Sequence, residues 1–156
     1  MKILMVCLGN ICRSPIAEGI MQQKCKEAGL DWQIESAGTN GYHDGEMPHL
    51  MSQMVSKLNG VDISKQTSRR FKATDFDHFD LIISMAGDII NEMKYIARSS
   101  YDENKVKLLL NYSFPNTNID VPDPWGRTEA AFHEVYDLIN NACDAMIKEL
   151  TSHKQY

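Results

Sequence analysis

One cysteine and one arginine near the start of the chain have the types and spacing for phosphate chemistry. Cys7 closes an apolar run, and Arg13 follows six residues later. A thiolate is a strong nucleophile, and a guanidinium offers paired hydrogen bonds to two phosphate oxygens. The pair predicts a thiolate beneath a bound phosphate, placed for in-line attack on phosphorus.

The elements around this pair favour an anion site. Residues 2–8 are typical of a buried parallel strand, and Ser14-Pro15 predicts a helix start with Ser14 as N-cap. Backbone N–H groups and the helix dipole in such a loop attract an anion and favour the thiolate form of Cys7. Gly9 and Asn10 tolerate left-handed backbone, which a tight loop needs. We expect phosphate to bind at Leu8, Gly9, Asn10, Ile11, Cys12, Arg13 and Ser14, with the Ser14 hydroxyl donating to the sulfur.

Other interpretations of this segment are weaker. A lone cysteine in an apolar strand is most often a small buried hydrophobe. The segment lacks the Gly-Lys-Ser/Thr ending of nucleotide loops and contains no G-x-G-x-x-G. Cys7 and Cys12 do not have zinc-knuckle spacing, and no Cys/His pair supplies further ligands. We therefore expect no metal and no cofactor.

Composition sets the class of protein. The 156 residues include 16 Lys and Arg against 21 Asp and Glu, a net charge of −5, which argues against a nucleic-acid partner. No apolar run approaches the roughly 20 residues of a membrane span, and no secretion signal is evident. We expect one domain over residues 1–156, in the cytoplasm and away from membranes, as a monomer or weak dimer. The cysteines are then thiols, with Cys25 and Cys143 in the core.

The wider pattern alternates strands and helices. Apolar segments at residues 2–8, 32–37, 79–85 and 106–110 predict strands, and residues 15–28, 47–58, 89–97 and 128–150 have helical spacing. This order predicts a single three-layer α/β domain with a four-stranded parallel sheet and helices on both faces. Ligands of such sheets bind at the carboxyl ends of the strands, where Cys7 lies.

The chain resembles the low-molecular-weight protein tyrosine phosphatase family over nearly its whole length. Besides the loop of residues 8–12 that follows the first predicted strand, called here the first loop, residues 36–39 read S-A-G-T, and residues 42–45 are an aromatic followed by His-x-Gly. Residues 75–80 read D-F-x-x-F-D, and residues 123–125 are Asp-Pro-aromatic. The resemblance implies a phosphotyrosine protein phosphatase I-like fold and hydrolysis of phosphotyrosine proteins or small aryl phosphates. The implied reaction runs through a cysteinyl phosphate without metal and releases inorganic phosphate.

The resemblance also implies roles for residues outside the first loop. Asp123, in a proline-braced segment, would protonate the leaving oxygen and then activate water. Tyr42 and Trp125 would flank the substrate's phenyl ring. Ile11 would add an apolar ledge that favours an aryl phosphate over phosphoarginine.

A hydrogen-bond network behind the loop is also implied, at Asn10, Ser14, Ser36 and Gln66. The family usually has a histidine where this chain has Gln66, which cannot titrate. Two further departures are Ala86, where the family has aspartate, and Gly126, where it often has a second aromatic residue. The last change predicts a cleft that is more open on one side.

Cys12 is close enough in sequence to Cys7 for a reversible disulfide, which would protect Cys7 from overoxidation and switch activity off. Two other functions stay open. An arsenate reductase would need resolving cysteines near the third strand, and residues 80–100 contain none. A phosphotyrosine-binding module without turnover would not need Cys7, Arg13 and Asp123 together. The histidines at 49, 78, 133 and 153 are expected at the surface.

Overall fold

A computed structural model of the chain describes residues 1–152; His153 lies outside them. Four parallel strands form one sheet in the order β2-β1-β3-β4. They are β1 (Lys2–Cys7), β2 (Gln33–Gly38), β3 (Leu81–Ser84) and β4 (Val106–Leu108). The helices are α1 (Arg13–Glu27), α2 (Leu50–Leu58), α3 (Asp75–His78), α4 (Gly87–Ala97) and α5 (Glu129–Ser152). The predicted four-stranded parallel α/β fold is confirmed.

The central strand β1 is buried on both sides, and its side chains alternate between two apolar layers. Ile3, Met5 and Cys7 pack in the layer that contains α1 and α5, whereas Leu4 and Val6 pack in the layer that contains α3 and α4. This double burial explains why the strand reads as an uninterrupted apolar run. It also fixes Cys7 on the α1 and α5 side of the sheet.

The strand order places a topological switch at the carboxyl end of β1. The chain goes from β1 through α1 to β2 on one side, and β3 then pairs with the other side of β1. Such a switch leaves a crevice between the diverging connections. The first loop, residues 8–12, leaves β1 at this crevice.

Two local predictions differ from the structure. The predicted helix of residues 47–58 begins at Leu50, because the ring of His49 accepts a hydrogen bond from the Met51 N–H and caps the helix. His49 is therefore not a surface residue; it is half-buried and stacks on Phe132 at 5.0 Å between ring centroids. The short helix α3 was not expected.

No helix within residues 1–152 is long and apolar enough to cross a membrane.

Candidate active site

Cys7 lies at the end of β1 and is 2% exposed. Its Sγ is 2.9 Å from the Ser14 Oγ. Ser14 Oγ already accepts a hydrogen bond from Asn10 Nδ2 at 2.8 Å, so the Ser14 hydrogen is available to the sulfur. The prediction that Ser14 caps α1 is wrong: α1 begins at Arg13, and the cap position is held by Cys12 without a side-chain bond.

Asn10 is the centre of the polar network behind the first loop. Its φ of 56° lies in the left-handed region, as expected, whereas Gly9 is not left-handed. The Asn10 Nδ2 also donates to Ser36 Oγ at 2.9 Å, and its Oδ1 accepts from the Arg69 N–H at 3.0 Å. One buried amide thus joins the first loop, β2 and the segment before α3.

Gln66, which the sequence analysis assigned to this network, bonds elsewhere. Its Nε2 donates to the Pro15 carbonyl at 3.0 Å, and its Oε1 is buried without a hydrogen-bond partner. Gln66 therefore supports the first turn of α1. The third bond of the Asn10 side chain comes instead from the Arg69 backbone, which no side-chain pattern in the sequence could indicate.

Neighbouring segments hold the first loop from two sides. The Thr39 and Asn40 N–H groups donate to the carbonyls of Cys7 and Leu8 at 3.0 Å each. A Cβ on Gly38 would lie 2.8 Å from the Leu8 carbonyl oxygen and 2.9 Å from the Asn10 nitrogen. Gly38 is thus required by close backbone packing.

The start of α2 supports the opposite side of the loop. The His49 N–H donates to the Ile11 carbonyl at 2.8 Å, and the Ser52 hydroxyl donates to the Cys12 carbonyl at 3.2 Å. Backbone geometry at the loop is therefore set from outside the loop as well as by its own residues.

Arg13 connects the first loop to the segment that carries Asp123. Its Nη1 donates to the Val121 carbonyl at 2.9 Å, and its Nη2 is 3.8 Å from Asp123 Oδ2. Arg13 is buried, whereas the Asp123 side chain is 43% exposed. The guanidinium and the carboxyl group therefore meet at the same cleft, with the carboxyl group on its open side.

The segment of residues 120–128, called here the Asp123 loop, is anchored at its first two residues. The Val121 N–H donates to the Met85 carbonyl at 2.8 Å. The Asp120 Oδ1 accepts from the Gly87 N–H, also at 2.8 Å. Gly87 is the first residue of α4, so Asp120 supplies the cap that Ala86 cannot. Sequence reasoning missed this role of Asp120.

A cleft of about 400 Å³ opens above Cys7. It is lined by Cys7, Leu8, Gly9, Ile11, Cys12, Arg13, Asn40, Tyr42, His43, Asp123 and Trp125. The expected ring-flanking residues Tyr42 and Trp125 are 86% and 61% exposed. Exposed aromatic faces at a cleft mouth suit a planar apolar group. Asn10 and Ser14 lie behind the lining rather than in it.

His43 is a lining residue without an assigned role in the sequence analysis. Its Nδ1 is 2.6 Å from the Glu46 carboxylate. A Cβ on Gly9 would lie 3.1 Å from the His43 Cδ2. The absence of a side chain at Gly9 therefore allows the imidazole to approach the first loop. The motif of an aromatic followed by His-x-Gly was the available signal.

Burial shifts the pKa of two groups near the loop. Desolvation, with smaller contributions from Cys7 and Asp123, raises the pKa of Cys12 to about 12, so Cys12 is a neutral thiol near pH 7. Desolvation raises the pKa of Glu18 to about 7, although hydrogen bonding to Ser36 opposes the rise. Glu18 was not predicted from the sequence.

Other side chains are distant from the chemistry. Cys25 and Cys143 are buried in the apolar layer between the sheet, α1 and α5, as expected. Among residues 1–152, no group of three or more His, Cys, Asp or Glu side chains is arranged to hold a metal ion.

Known proteins match this chain over nearly its whole length. A family model described as low molecular weight phosphotyrosine protein phosphatase matches residues 2–156. The low molecular weight protein-tyrosine-phosphatase YfkJ of Bacillus subtilis is 35% identical over 156 residues, which are 99% of this chain and 98% of YfkJ. A protein tyrosine phosphatase structure from Entamoeba histolytica is 33% identical with a TM-score of 0.90, and 99% of each chain is covered. Wzb of Vibrio vulnificus, in complex with benzylphosphonate, is 30% identical with a TM-score of 0.86, covering 95% of this chain and 97% of Wzb.

Proposed function

The chain belongs to the low molecular weight phosphotyrosine protein phosphatase family, and we propose that it cleaves phosphotyrosine and aryl phosphates with Cys7, Arg13 and Asp123. Cys7 is the nucleophile, Arg13 binds the phosphate oxygens, and Asp123 is the general acid and then the general base. One observation carries this assignment: thiol, guanidinium and carboxyl group line one cleft, with the Ser14 hydroxyl 2.9 Å from the sulfur.

The first step transfers the phosphoryl group to sulfur. The Cys7 thiolate attacks phosphorus, an S–P bond forms, and the P–O bond to the aryl group breaks in line. Asp123 gives its proton to the departing oxygen, which leaves as a neutral phenol. Arg13 neutralises charge on the equatorial oxygens as the transition state forms.

The second step releases phosphate. The Asp123 carboxylate takes a proton from water, the water oxygen attacks phosphorus, and the S–P bond breaks. Cys7 leaves as a thiolate, which the Ser14 hydroxyl stabilises by donating a hydrogen bond. The Asn10 bond to Ser14 Oγ orients that hydroxyl.

An aryl substrate fits the lining of the cleft. Ile11, Tyr42 and Trp125 give it apolar and aromatic surface, and the related Wzb was solved with benzylphosphonate. We expect the protein to accept phosphotyrosine proteins and small aryl phosphates and to be inhibited by inorganic phosphate. Its cytoplasmic location and its monomeric or weakly dimeric state stay predictions.

The test is hydrolysis of p-nitrophenyl phosphate in EDTA by wild type, Cys7→Ser, Asp123→Asn and the control Asp77→Asn. Asp77 is an exposed carboxylate on α3. Wild type and the control should be active, and Cys7→Ser should be inactive. Asp123→Asn should lose most activity on aryl phosphates with poor leaving groups, because these depend most on protonation. Activity in Cys7→Ser, or an equal loss on all leaving groups in Asp123→Asn, would contradict the mechanism.

We also propose that Cys12 is the redox partner of Cys7. Both thiols are buried and line the same cleft. Peroxide would oxidise the Cys7 thiolate to a sulfenic acid; the Cys12 sulfur would then attack it, forming a disulfide and releasing water. Because Cys12 is protonated near pH 7, its deprotonation limits the second step.

Peroxide treatment followed by a thiol reductant tests this redox role. Wild type should recover its activity, whereas Cys12→Ser should lose activity permanently through overoxidation of Cys7. Cys25→Ser is the matched control, since Cys25 is a buried thiol away from the cleft. Full recovery of Cys12→Ser would exclude the protective role.

A further inference from the structure

A second cleft lies beside the candidate active site. Its volume is about 670 Å³, and three segments line it: residues 39–42, Arg70 and one side of α4. It shares Asn40 and Tyr42 with the cleft above Cys7. A chain that places a phosphorylated side chain over Cys7 can therefore continue past Tyr42 into this second cleft, called here the side groove.

Arg70 supplies the positive charge in the lining of the side groove, which also includes the carboxylate of Glu92. Within residues 1–152 the Arg70 side chain makes no ion pair and no hydrogen bond, and it is exposed. Its backbone is fixed, because Arg70 forms a parallel bridge with Gly38 and the Phe71 N–H donates to the Gly38 carbonyl at 2.7 Å. The Arg70 guanidinium therefore belongs to a residue whose backbone is held in place, and its N–H groups are available to a ligand.

Two carboxylates lie near this guanidinium. Glu92 of α4 accepts a hydrogen bond from the Thr39 hydroxyl, which fixes the position of its carboxylate at the end of β2 but leaves its negative charge in place. Asp44 lies across Gly41: a Cβ on Gly41 would be 3.4 Å from the Asp44 Oδ2 and 3.5 Å from the Arg70 Cδ. Asp44 is not within ion-pair distance of Arg70, and both side chains remain exposed.

Two tyrosines border the side groove. Tyr42 is 86% exposed and Tyr95 is 79% exposed, and Ile96 adds apolar surface between the polar residues. Exposed tyrosines provide rigid, amphipathic contact area at low entropic cost, which suits an extended peptide. The Asn40 and Asn91 side chains supply amide donors and acceptors for a peptide backbone.

We propose that the side groove binds the residues next to phosphotyrosine in a protein substrate and that Arg70 selects an acidic side chain among them. This inference rests on the proposed function, because the groove is useful only to a substrate anchored above Cys7. Because Asn40 and Tyr42 line both clefts, the occupant we infer is the same polypeptide, and the unpaired guanidinium indicates the charge that it prefers.

The test compares phosphotyrosine peptides that carry Glu, Ala or Lys at successive positions on either side of the phosphotyrosine. The readout is kcat/KM for each peptide divided by kcat/KM for p-nitrophenyl phosphate, a substrate for the cleft above Cys7, which Arg70 does not line. This ratio cancels a general loss of folded or active enzyme. We compare wild type, Arg70→Ala and Arg70→Glu, with Lys57→Ala on α2 as the control that removes one exposed positive charge elsewhere.

Wild type should prefer Glu to Lys by on the order of three- to fivefold at one or more positions, as expected for an exposed charge pair. Arg70→Ala should remove the preference, Arg70→Glu should reverse it, and Lys57→Ala should keep it. The preference should weaken as salt is added. A wild-type enzyme without preference, or the same preference in Arg70→Ala, would overturn the proposal. Failure to hydrolyse p-nitrophenyl phosphate would instead refute the proposed function.

Discussion

Replacing Glu18 with glutamine should make the protein more stable at neutral and alkaline pH. Glu18 lies on α1, one turn after Ser14, and its carboxyl group is largely buried next to Ser36. Desolvation raises its pKa from 4.5 to about 7, the hydrogen bonds from Ser36 oppose this, Glu35 adds to the rise, and Arg69 lowers it. Burial therefore dominates over the hydrogen bonds that favour the charged form.

The size and sign of the effect follow from the pKa. A rise from 4.5 to about 7, at about 1.4 kcal/mol per pKa unit, corresponds to roughly 3 kcal/mol. Below pH 4.5 Glu18 is protonated in both the folded and the unfolded chain, so it causes no pH dependence. Between pH 4.5 and 7 the folded chain keeps a proton that the unfolded chain has released, so stability falls as pH rises. Above pH 7 the full penalty applies, and glutamine avoids it.

Urea unfolding of wild type and Glu18→Gln at a series of pH values measures this difference. The two free energies of unfolding should agree near pH 4 and diverge through pH 4.5–7. Above that range the variant should be more stable by up to about 3 kcal/mol. The control is Glu35→Gln, which removes an exposed neighbouring carboxylate and should change the stability only slightly.

The reasoning would be refuted by a free-energy difference that stays constant from pH 4.5 to pH 8. NMR titration of the Glu18 carboxyl carbon gives a second measurement that does not depend on unfolding. A titration midpoint near the ordinary value of 4.5 would mean that water reaches the carboxyl group and that the desolvation argument is wrong.

Three further predictions concern the two loops of the site. Gly38→Ala should reduce kcat/KM by about tenfold or more, because its methyl would lie 2.8 Å from the Leu8 carbonyl oxygen; wild-type kcat/KM with p-nitrophenyl phosphate would contradict this. Asp120→Ala should lower kcat more than it changes KM, because the Gly87 N–H loses its acceptor. Asp120→Asn keeps an acceptor oxygen and should retain most activity. Equal loss in both variants would argue for a purely charge-based role. Ser14→Ala should slow release of phosphate from the intermediate, seen as a larger p-nitrophenol burst in rapid mixing, and an unchanged burst would exclude the Ser14 bond to the sulfur.

The sheet and the first loop could be predicted because their signals are local. The apolar run of β1 and the turn residues after it are contiguous, and a strand buried on both sides has a distinct pattern. The placement of Cys7 at a carboxyl end then follows from the general geometry of parallel sheets. The left-handed backbone of Asn10 is likewise a property of the residue type at that position.

The network behind the loop could be predicted only in part, because its bonds join distant segments. The Arg69 backbone contacts Asn10 across 59 positions of the chain, and a backbone N–H has no residue type to recognise. Ser14 was assigned as a cap because serine before proline is typical of helix starts. In the structure the Ser14 hydroxyl interacts with the Cys7 sulfur and the Asn10 amide, and α1 begins two residues earlier, at Arg13.

The start of α4 shows how a helix can be capped by a residue that is distant in sequence. Ala86, at the cap position of α4, makes no side-chain cap bond, and Asp88 in the first turn accepts only from the Ile89 N–H. The Asp120 carboxylate accepts from Gly87 instead, and it also places a negative charge at the positive end of the α4 dipole. Because Asp120 is three residues before Asp123, the bond that caps α4 also fixes the start of the Asp123 loop. Fraying of the first turn of α4 would therefore remove one anchor of the loop that carries the general acid and leave the Val121 bonds to Met85 and Arg13 to hold it.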